Sequence, residues 1–240
     1  MNKLTIGWMY PNLLNLHGER GSVQMLAKVG QDMGLDVQIR RFEDFQEPIP
    51  FEELDMLIFL PGEIETFRYL IPALQNQKEK LDAYLEKGGY LLAIGTTGLL
   101  FGNQVTREDG SLVECLGYLD MVAKERKYVW GDDLHVRIRD GKQELAGSQI
   151  QMADVDCKQP FADVIYGYGN AGKGTEGGRW KNLIYTNCLG PLFVKNPWFA
   201  EAILKDICMQ KFMGLRQLRH TIASDSFDAT LEFIATKPKK

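Results

Sequence analysis

A buried strand that breaks sharply into a helix lifts one side chain above the carboxyl end of a sheet. Many hydrolases seat a serine or cysteine nucleophile there. Residues 89–102, Gly-Tyr-Leu-Leu-Ala-Ile-Gly-Thr-Thr-Gly-Leu-Leu-Phe-Gly, have that pattern with no nucleophile at the break. Tyr90 to Ile94 is an apolar run with little polar alternation, which suits a strand buried on both faces. Gly95 stands at the break, and Thr96 and Thr97 are placed to cap a following helix. The chain has four cysteines, Cys115, Cys157, Cys188 and Cys208. They are scattered, with no C-x-x-C pair and no histidine close by. No metal site is expected, and the thiols read as reduced and structural.

A second segment invites a phosphate-binding reading. Gly167 to Gly178 runs Gly-Tyr-Gly-Asn-Ala-Gly-Lys-Gly-Thr-Glu-Gly-Gly. Gly169-x-x-x-x-Gly174 is followed by Thr175-Glu176 rather than by Lys and a hydroxyl residue, and no helix pattern begins there. It therefore fails as a phosphate loop. A β-hairpin or surface loop that needs positive φ is expected instead, and no cofactor is implied.

The totals bound the remaining classes. The chain has 240 residues, 45% of them hydrophobic, and a net charge of −4. That is enough for a sizeable core, with no electrostatic footprint for nucleic acid. No segment has the ~18 apolar residues of a membrane-spanning helix, and the apolar stretch at the N-terminus is too short for a signal peptide. A cytoplasmic protein without membrane insertion is expected.

The elements that would position a site follow from periodicity. Leu4 to Tyr10 reads as a strand, Pro11 to Gly21 as a polar loop and Ser22 to Met33 as an amphipathic helix closed by Gly34. Val37 to Phe42 and Asp55 to Leu60 read as strands. Glu63 to Lys87 reads as a long helical stretch, which Pro72 is expected to kink or split. Residues 1–102 thus alternate β-α-β-β-α-β-α, the pattern of a mostly parallel, doubly wound sheet. Ligands in such sheets sit beyond the carboxyl ends of the strands, which here means Pro11–Gly21, Pro61–Glu65 and Gly95–Gly98. The second half changes character. Leu134–Arg139, Gln149–Val155 and Val164–Tyr168 read as strands of a more antiparallel layer, with Asp140-Gly141 as a hairpin turn. Leu183–Thr186 reads as a strand. Asn196-Pro197 begins a helix that reaches about Phe212. One more helix and a frayed Lys-Pro-Lys-Lys tail follow.

Three long motifs carry a family resemblance. They are Met9-Tyr-Pro-Asn-Leu-Leu-Asn-Leu-His-Gly-Glu-Arg-Gly21, Ile165-Tyr-Gly-Tyr-Gly-Asn-Ala-Gly-Lys-Gly-Thr-Glu-Gly177 and Lys181-Asn-Leu-Ile-Tyr-Thr-Asn-Cys-Leu-Gly-Pro-Leu-Phe-Val-Lys-Asn-Pro197. The chain resembles the class I glutamine amidotransferases of the cobyric-acid-synthase-like type. Within them it most resembles the GatD glutaminase subunits of lipid II isoglutaminyl synthase. The resemblance spans roughly residues 3–212. It implies a flavodoxin-like three-layer α/β fold, with a mostly parallel central sheet and an antiparallel extension. It also implies a glutamine amidotransferase-like domain over 1–213 and a C-terminal extension over 214–240. Family members hydrolyse the side-chain amide of glutamine with a cysteine thiolate, a histidine and an oxyanion hole of backbone N–H groups. The ammonia passes to a synthetase partner, which in lipid II amidation is Mur-ligase-like.

The residues carried over depart from that chemistry. The family's Ala-Ile-Cys-Gly-Gly turn corresponds to Ala93-Ile-Gly-Thr-Thr97, so the nucleophile position is Gly95. The family's Thr-Tyr-Leu-His-Gly-Pro corresponds to Thr186-Asn-Cys-Leu-Gly-Pro191, so the general-base position is Leu189. The oxyanion turn Gly-Gly-Gly corresponds to Pro61-Gly62-Glu63, which brings a carboxylate toward a developing negative charge. A Gly-Phe-Glu-Asn-His segment corresponds to Gly147-Ser-Gln-Ile-Gln151. Arg126 and Lys127 fall near a basic residue that would hold the glutamine carboxylate; read without the family they are a solvated surface pair. Asn170 and Glu176 fall in a matching loop where backbone shape is expected to matter more than side chains. Cys188 should point away from the site, and His17, His135 and His220 are poorly placed to rebuild a pair.

The leading expectation is a glutaminase-inactive, structural or regulatory subunit in cell-wall metabolism. It would form a heterodimer with a Mur-ligase-like synthetase, or a homo-oligomer. The alternatives are an active amidotransferase using an unrecognised nucleophile and a non-catalytic small-molecule binding module. At Gly95 positive φ is expected, facing Leu189 across an empty pocket.

Overall fold

Apolar runs spaced between helices build the first sheet. The computed structural model describes residues 2–139, 141, 143–211 and 214–238. Strand β1 (Asn2–Met9) leads through a loop into helix α1 (Arg20–Asp32) and strand β2 (Leu35–Phe42). Strand β3 (Met56–Phe59) is followed by helices α2 (Phe67–Gln75) and α3 (Lys78–Glu86), then by strand β4 (Tyr90–Ile94). Every residue of β3 and β4 is buried, as expected of strands covered on both faces. Next come β5 (Gln104–Thr106), β6 (Leu112–Glu114), β7 (Met121–Ile138), β8 (Glu144–Cys157) and β9 (Ala162–Tyr166). The last strands are β10 (Thr175–Glu176), β11 (Gly178–Trp180) and β12 (Leu183–Thr186). Helices α4 (Leu192–Lys195), α5 (Pro197–Gln210) and α6 (Thr221–Ala235) close the chain.

The central sheet has the order β11-β12-β4-β3-β1-β2. Only the β11–β12 pair is antiparallel. The step from β1 to β2 moves one way along the sheet and the step from β3 to β4 moves the other. Because such crossovers are right-handed, α1 lies on one face and α2 and α3 on the opposite one. Helices α4 and α5 pack with α1, which completes the three layers. The carboxyl edge then collects the segments after β1, β3, β4 and β12.

The second sheet has the order β10-β9-β7-β5-β6, with β8 also paired to β7. Strand β7 pairs with β8 along most of its length, interrupted by a bulge between Glu125 and Trp130. Helix α6 lays Phe227 edge-on against His135 and Trp198, with ring centroids 6.1 and 4.9 Å apart. No described helix is long and apolar enough to cross a membrane.

Three local expectations are corrected. The helical stretch after β3 breaks at Asn76-Gln77, not at Pro72, which sits inside α2. Pro72 and Arg68 are both exposed, so the lost N–H bond and the push of the ring on the Arg68 carbonyl fall on the solvent side. The segment after Gly95 is a seven-residue 3-10 helix, Gly95–Phe101, buried throughout, with no side-chain cap. Thr97 instead donates its hydroxyl to the Leu60 carbonyl at 2.8 Å. The antiparallel layer is also larger than expected. Strands β5 and β6 have three residues each, too short to show a period. Phe212, Asp140 and the last two tail residues, where further expectations fell, lie outside the described residues. Asn196 and Pro197 do occupy the N-cap and first-turn positions of α5. The Asn196 side chain, however, bonds Ala146 and Leu192 rather than its own helix.

Gly98 fixes how closely the 3-10 helix approaches β12. A β-carbon there would lie 1.8 Å from Cδ2 of Tyr185, a ring that is fully buried. Gly98→Ala is expected to lower the unfolding free energy by about 3 kcal/mol or more, measured by urea denaturation.

Candidate functional site at the carboxyl edge

Gly95 ends β4 with φ at +68°, the left-handed region that favours glycine. Leu189 faces it, with Cδ2 3.6 Å from where a β-carbon on Gly95 would lie. The space between them is not empty, which corrects that expectation. The ring of Pro61 sits there as well, with Cβ and Cγ each 3.0 Å from the same point. A β-carbon at residue 95 would need the ring of Pro61, part of the short segment that follows β3, to give by a few tenths of an ångström. Pro61 also lacks the backbone N–H that an oxyanion hole would draw on. Beside it Gly62 is packed under Leu14, 2.4 Å from a β-carbon placed on that glycine. Glu63 is exposed.

Leu189 is positioned by the second sheet. Its N–H donates to the Ser148 carbonyl at 2.8 Å and its carbonyl accepts from Ser148 N–H at 2.9 Å. The structure therefore brings together Gly95, Leu189, Pro61 and the Gly147-Ser148 end of the Gly147–Gln151 segment, whereas Gln149 bonds Gln151 and the Gly169 backbone, the latter at 3.0 and 3.1 Å. Gly147 has its own steric reason to be glycine: a β-carbon there would meet the Leu189 carbonyl oxygen at 2.2 Å and Cys188 Sγ at 2.8 Å. Cys188 thus points against β8 while Leu189 points at Gly95, as alternation of side chains predicts.

No cysteine is poised as a nucleophile. Burial holds the Cys188 thiol well above its ordinary value, with the nearby carboxylates of Glu176 and Glu19 adding to the rise. Cys115 is pushed up to about 12, first by burial and then by Glu114. Burial raises Cys157 and Cys208 too. A thiol with a raised value is not a thiolate at neutral pH. His135 and His220 are bonded to Glu144 and Glu201, at 2.7 and 2.6 Å.

Arg126 joins a different set of residues, at the β7 bulge. Its guanidinium donates to Asp154 at 2.5 Å and to the Tyr168 hydroxyl at 3.1 Å. It lies over the Trp130 and Tyr168 rings at 5.6 and 5.2 Å. A solvated pair with Lys127 is therefore the wrong picture, because aromatic faces and a carboxylate already hold the cation. The glycine-rich loop behind Tyr168 is the positive-φ hairpin expected, with Gly167, Gly169, Gly172, Gly174 and Gly177 all in that region.

Two buried carboxylates hold the edge together: Glu19, to which the sequence assigned no role, and Glu176, whose loop it had singled out. Glu19, fully buried, accepts the N–H of Gly190 at 2.7 Å, the N–H of Leu192 at 3.1 Å and the Ser22 hydroxyl at 2.7 Å. It ties the first loop to the segment that carries Leu189. Burial raises its carboxyl, and those three bonds hold part of the rise back. Glu176, also fully buried, accepts Asn187 N–H at 2.6 Å and the Thr186 hydroxyl at 3.0 Å. Its carboxyl is pushed up to about 7 by burial. Asn170 bridges both backbone groups of Gly177, at 2.8 and 3.1 Å. So the side chains of Asn170 and Glu176 act directly, contrary to the expectation that backbone shape there would matter more than side chains. The signal was an acid inside a glycine-rich run, flanked by residues with no use for it locally.

No protein-family model matches the chain. Among curated proteins it is 25% identical over 218 residues to the lipid II isoglutaminyl synthase (glutamine-hydrolyzing) subunit GatD of Streptococcus pneumoniae, covering 88% of this chain and 82% of that one. It is 24% identical over 217 residues to the Staphylococcus aureus GatD subunit, covering 88% and 87%. Among solved structures, a glutamine amidotransferase aligns with TM-score 0.55 at 14% identity, over 84% of this chain and 98% of that one. A glutamine amidotransferase from Thermotoga maritima aligns with TM-score 0.51 at 13% identity, over 98% and 99%.

Two outcomes test the geometry. Gly95→Cys with Leu189→His is expected to release no ammonia from glutamine above background, because Pro61 still crowds residue 95. The forced positive φ should also lower stability by about 1–3 kcal/mol, read by urea denaturation beside an ammonia assay. Glu176 has a folded value near 7 against an unfolded value near 4.5. Its contribution is therefore fully present below about pH 4.5 and is lost as pH rises through 7. Relative to Glu176→Gln, which does not titrate, the native chain should lose about 3 kcal/mol between pH 4.5 and 8, measured as unfolding free energy against pH. The chain has the fold of the class I glutamine amidotransferases and is a homologue of the GatD subunits.

Proposed function

We propose that the chain is a GatD-like subunit without glutaminase activity, structural or regulatory for a Mur-ligase-like synthetase that amidates a cell-wall precursor. One observation carries the reading. Gly95, which the resemblance aligns with the nucleophile position, is crowded by Pro61 and Leu189, and the resemblance aligns Leu189 with the general base. Losing the nucleophile alone removes almost all covalent catalysis. Here the base is gone too, and the oxyanion turn begins with a residue that has no N–H.

The framework around the site supports a retained binding or scaffolding role. Glu19, Ser22 and Glu176 spend buried hydrogen bonds on the geometry of the edge. That investment is intelligible if the surface shape is what the protein uses. The likeness to GatD subunits along 88% of the chain supports a synthetase as the partner class. A cytoplasmic location and the division into a domain over 1–213 and an extension over 214–240 belong to the same proposal.

The test uses the pure chain and the chain co-expressed with the Mur-ligase-like synthetase of its own source. The expected result is a stable complex on size-exclusion chromatography and no glutamine-dependent ammonia release from either sample. Ammonia release that disappears on replacing one cysteine, Cys188 or Cys115, would sink the inactive reading. Failure to form a complex would remove the partner.

A further inference from the structure

At the opposite end of the sheet from Gly95 lies a cavity of about 420 Å³. It opens where the chain enters β3 and β4, at Leu54-Asp55 and Gly88-Gly89. Four or five strand residues separate the two ends, roughly 17 Å at the rise of a strand, so this is a separate site from the carboxyl edge. Its floor is apolar: Phe51, Leu54, Tyr84 and Ile207 line it, and each is otherwise buried. The rings of Phe51 and Tyr84 pack at 5.8 Å, and the Tyr84 hydroxyl is fixed by donation to the Tyr90 carbonyl at 2.7 Å. Gly89 has to be bare, because a β-carbon there would lie 2.4 Å from the Tyr84 ring.

One wall is a stripe of α3. Lys80 and Ala83 lie on α3 and Lys87 caps its C-terminus, at i, i+3 and i+7, so the two lysines share one face about two turns apart, roughly 10 Å along the axis. Neither amine has an ion-pair partner among the described residues. Lys211 enters from the end of α5 and is bonded to Asp55, which also accepts the Thr5 N–H at 2.7 Å. Asp55 is thus spent internally and does not neutralise the α3 lysines. A second hollow of about 400 Å³ shares Asp55 and Lys211 and adds Lys3, Arg40 and Glu53, the last two ion-paired at 2.5 Å. Glu52 also lines the cavity, so the two hollows together carry five basic side chains (Lys3, Arg40, Lys80, Lys87, Lys211) against three acidic ones (Glu52, Glu53, Asp55). On a chain of net charge −4 this edge is therefore positive on balance over an apolar floor, the composition of a pocket for an amphiphilic anion.

We propose that the cavity binds a small organic anion with an apolar body, an aryl or branched-alkyl carboxylate or phosphate ester. Its headgroup lies between Lys80 and Lys87, and its body lies on Phe51, Leu54 and Tyr84.

The test is amide-resolved NMR on the full chain with phenylacetate, phenyl phosphate and the neutral phenylacetamide. The anions should shift the amides of Gly88, Gly89 and Gln210, and phenylacetamide should bind about tenfold more weakly or less. Lys80→Gln with Lys87→Gln should weaken the anions about tenfold or more while the thermal midpoint is held. Tighter binding of phenyl phosphate assigns a phosphate ester as the ligand class, and tighter binding of phenylacetate assigns a carboxylate. The proposal is overturned by any of three results. They are no shift at this site up to ~5 mM of either anion, equal binding of phenylacetamide, and unchanged affinity in the double variant.

Discussion

Close approach of side chains to two bare α-carbons, Gly95 and Gly98, is the constraint on which the rest of the edge depends. Pro61 and Leu189 press on the first and Tyr185 on the second. These contacts come from the segment after β3, from β12 and from the segment after β12, so they tie three parts of the sheet's edge together at once. Interiors at this density do not deform gradually. A methyl group at either position would have to move a proline or a fully buried tyrosine rather than a flexible side-chain end. The same packing that stabilises the turn also occupies the volume a nucleophile would need.

A positive-φ turn at the end of a buried strand is costly for any residue with a side chain, by about 1–3 kcal/mol. An enzyme that holds cysteine there accepts that cost for chemistry. Glycine adopts the turn almost freely, so this chain keeps the backbone geometry without the strain. Yet the edge has not been simplified elsewhere. Glu19 and Glu176 remain fully buried and bonded to backbone N–H groups. Burying a carboxylate is tolerable only with such partners. Removing the carboxylates would leave N–H groups of Gly190, Leu192 and Asn187 unsatisfied. The network and the turn therefore hold the Leu189 segment in place from two sides, and neither requires catalysis.

The parallel half of the fold was legible because its signals are local. Apolar runs at β3 and β4 and glycine at Gly34, Gly88 and Gly95 mark elements without reference to partners. The site was legible only through long motifs aligned by resemblance, which placed Gly95 and Leu189 in one cluster before any contact was visible. What stayed hidden was set by tertiary packing. Pro61 reads in sequence as a strand terminator, and nothing local says that its ring fills the space over Gly95. Glu19 reads as one polar residue among several in a loop, because its three partners lie at Ser22 and, far along the chain, at Gly190 and Leu192. The break at Asn76-Gln77 was misplaced to Pro72 because proline propensity overlooks whether the affected carbonyl faces solvent.

The two ends of the sheet now differ in kind. At the carboxyl edge, where doubly wound sheets ordinarily bind ligands, side chains fill the volume: Pro61, Leu14 and Leu189 occupy it. At the amino edge a cavity stays open, with an apolar floor and with Lys80 and Lys87, which have no ion-pair partner among the described residues. The closed edge carries bonded carboxylates and tight glycine contacts. The open edge keeps charge beside apolar area, which gains nothing in an isolated monomer and is intelligible as a place where something binds.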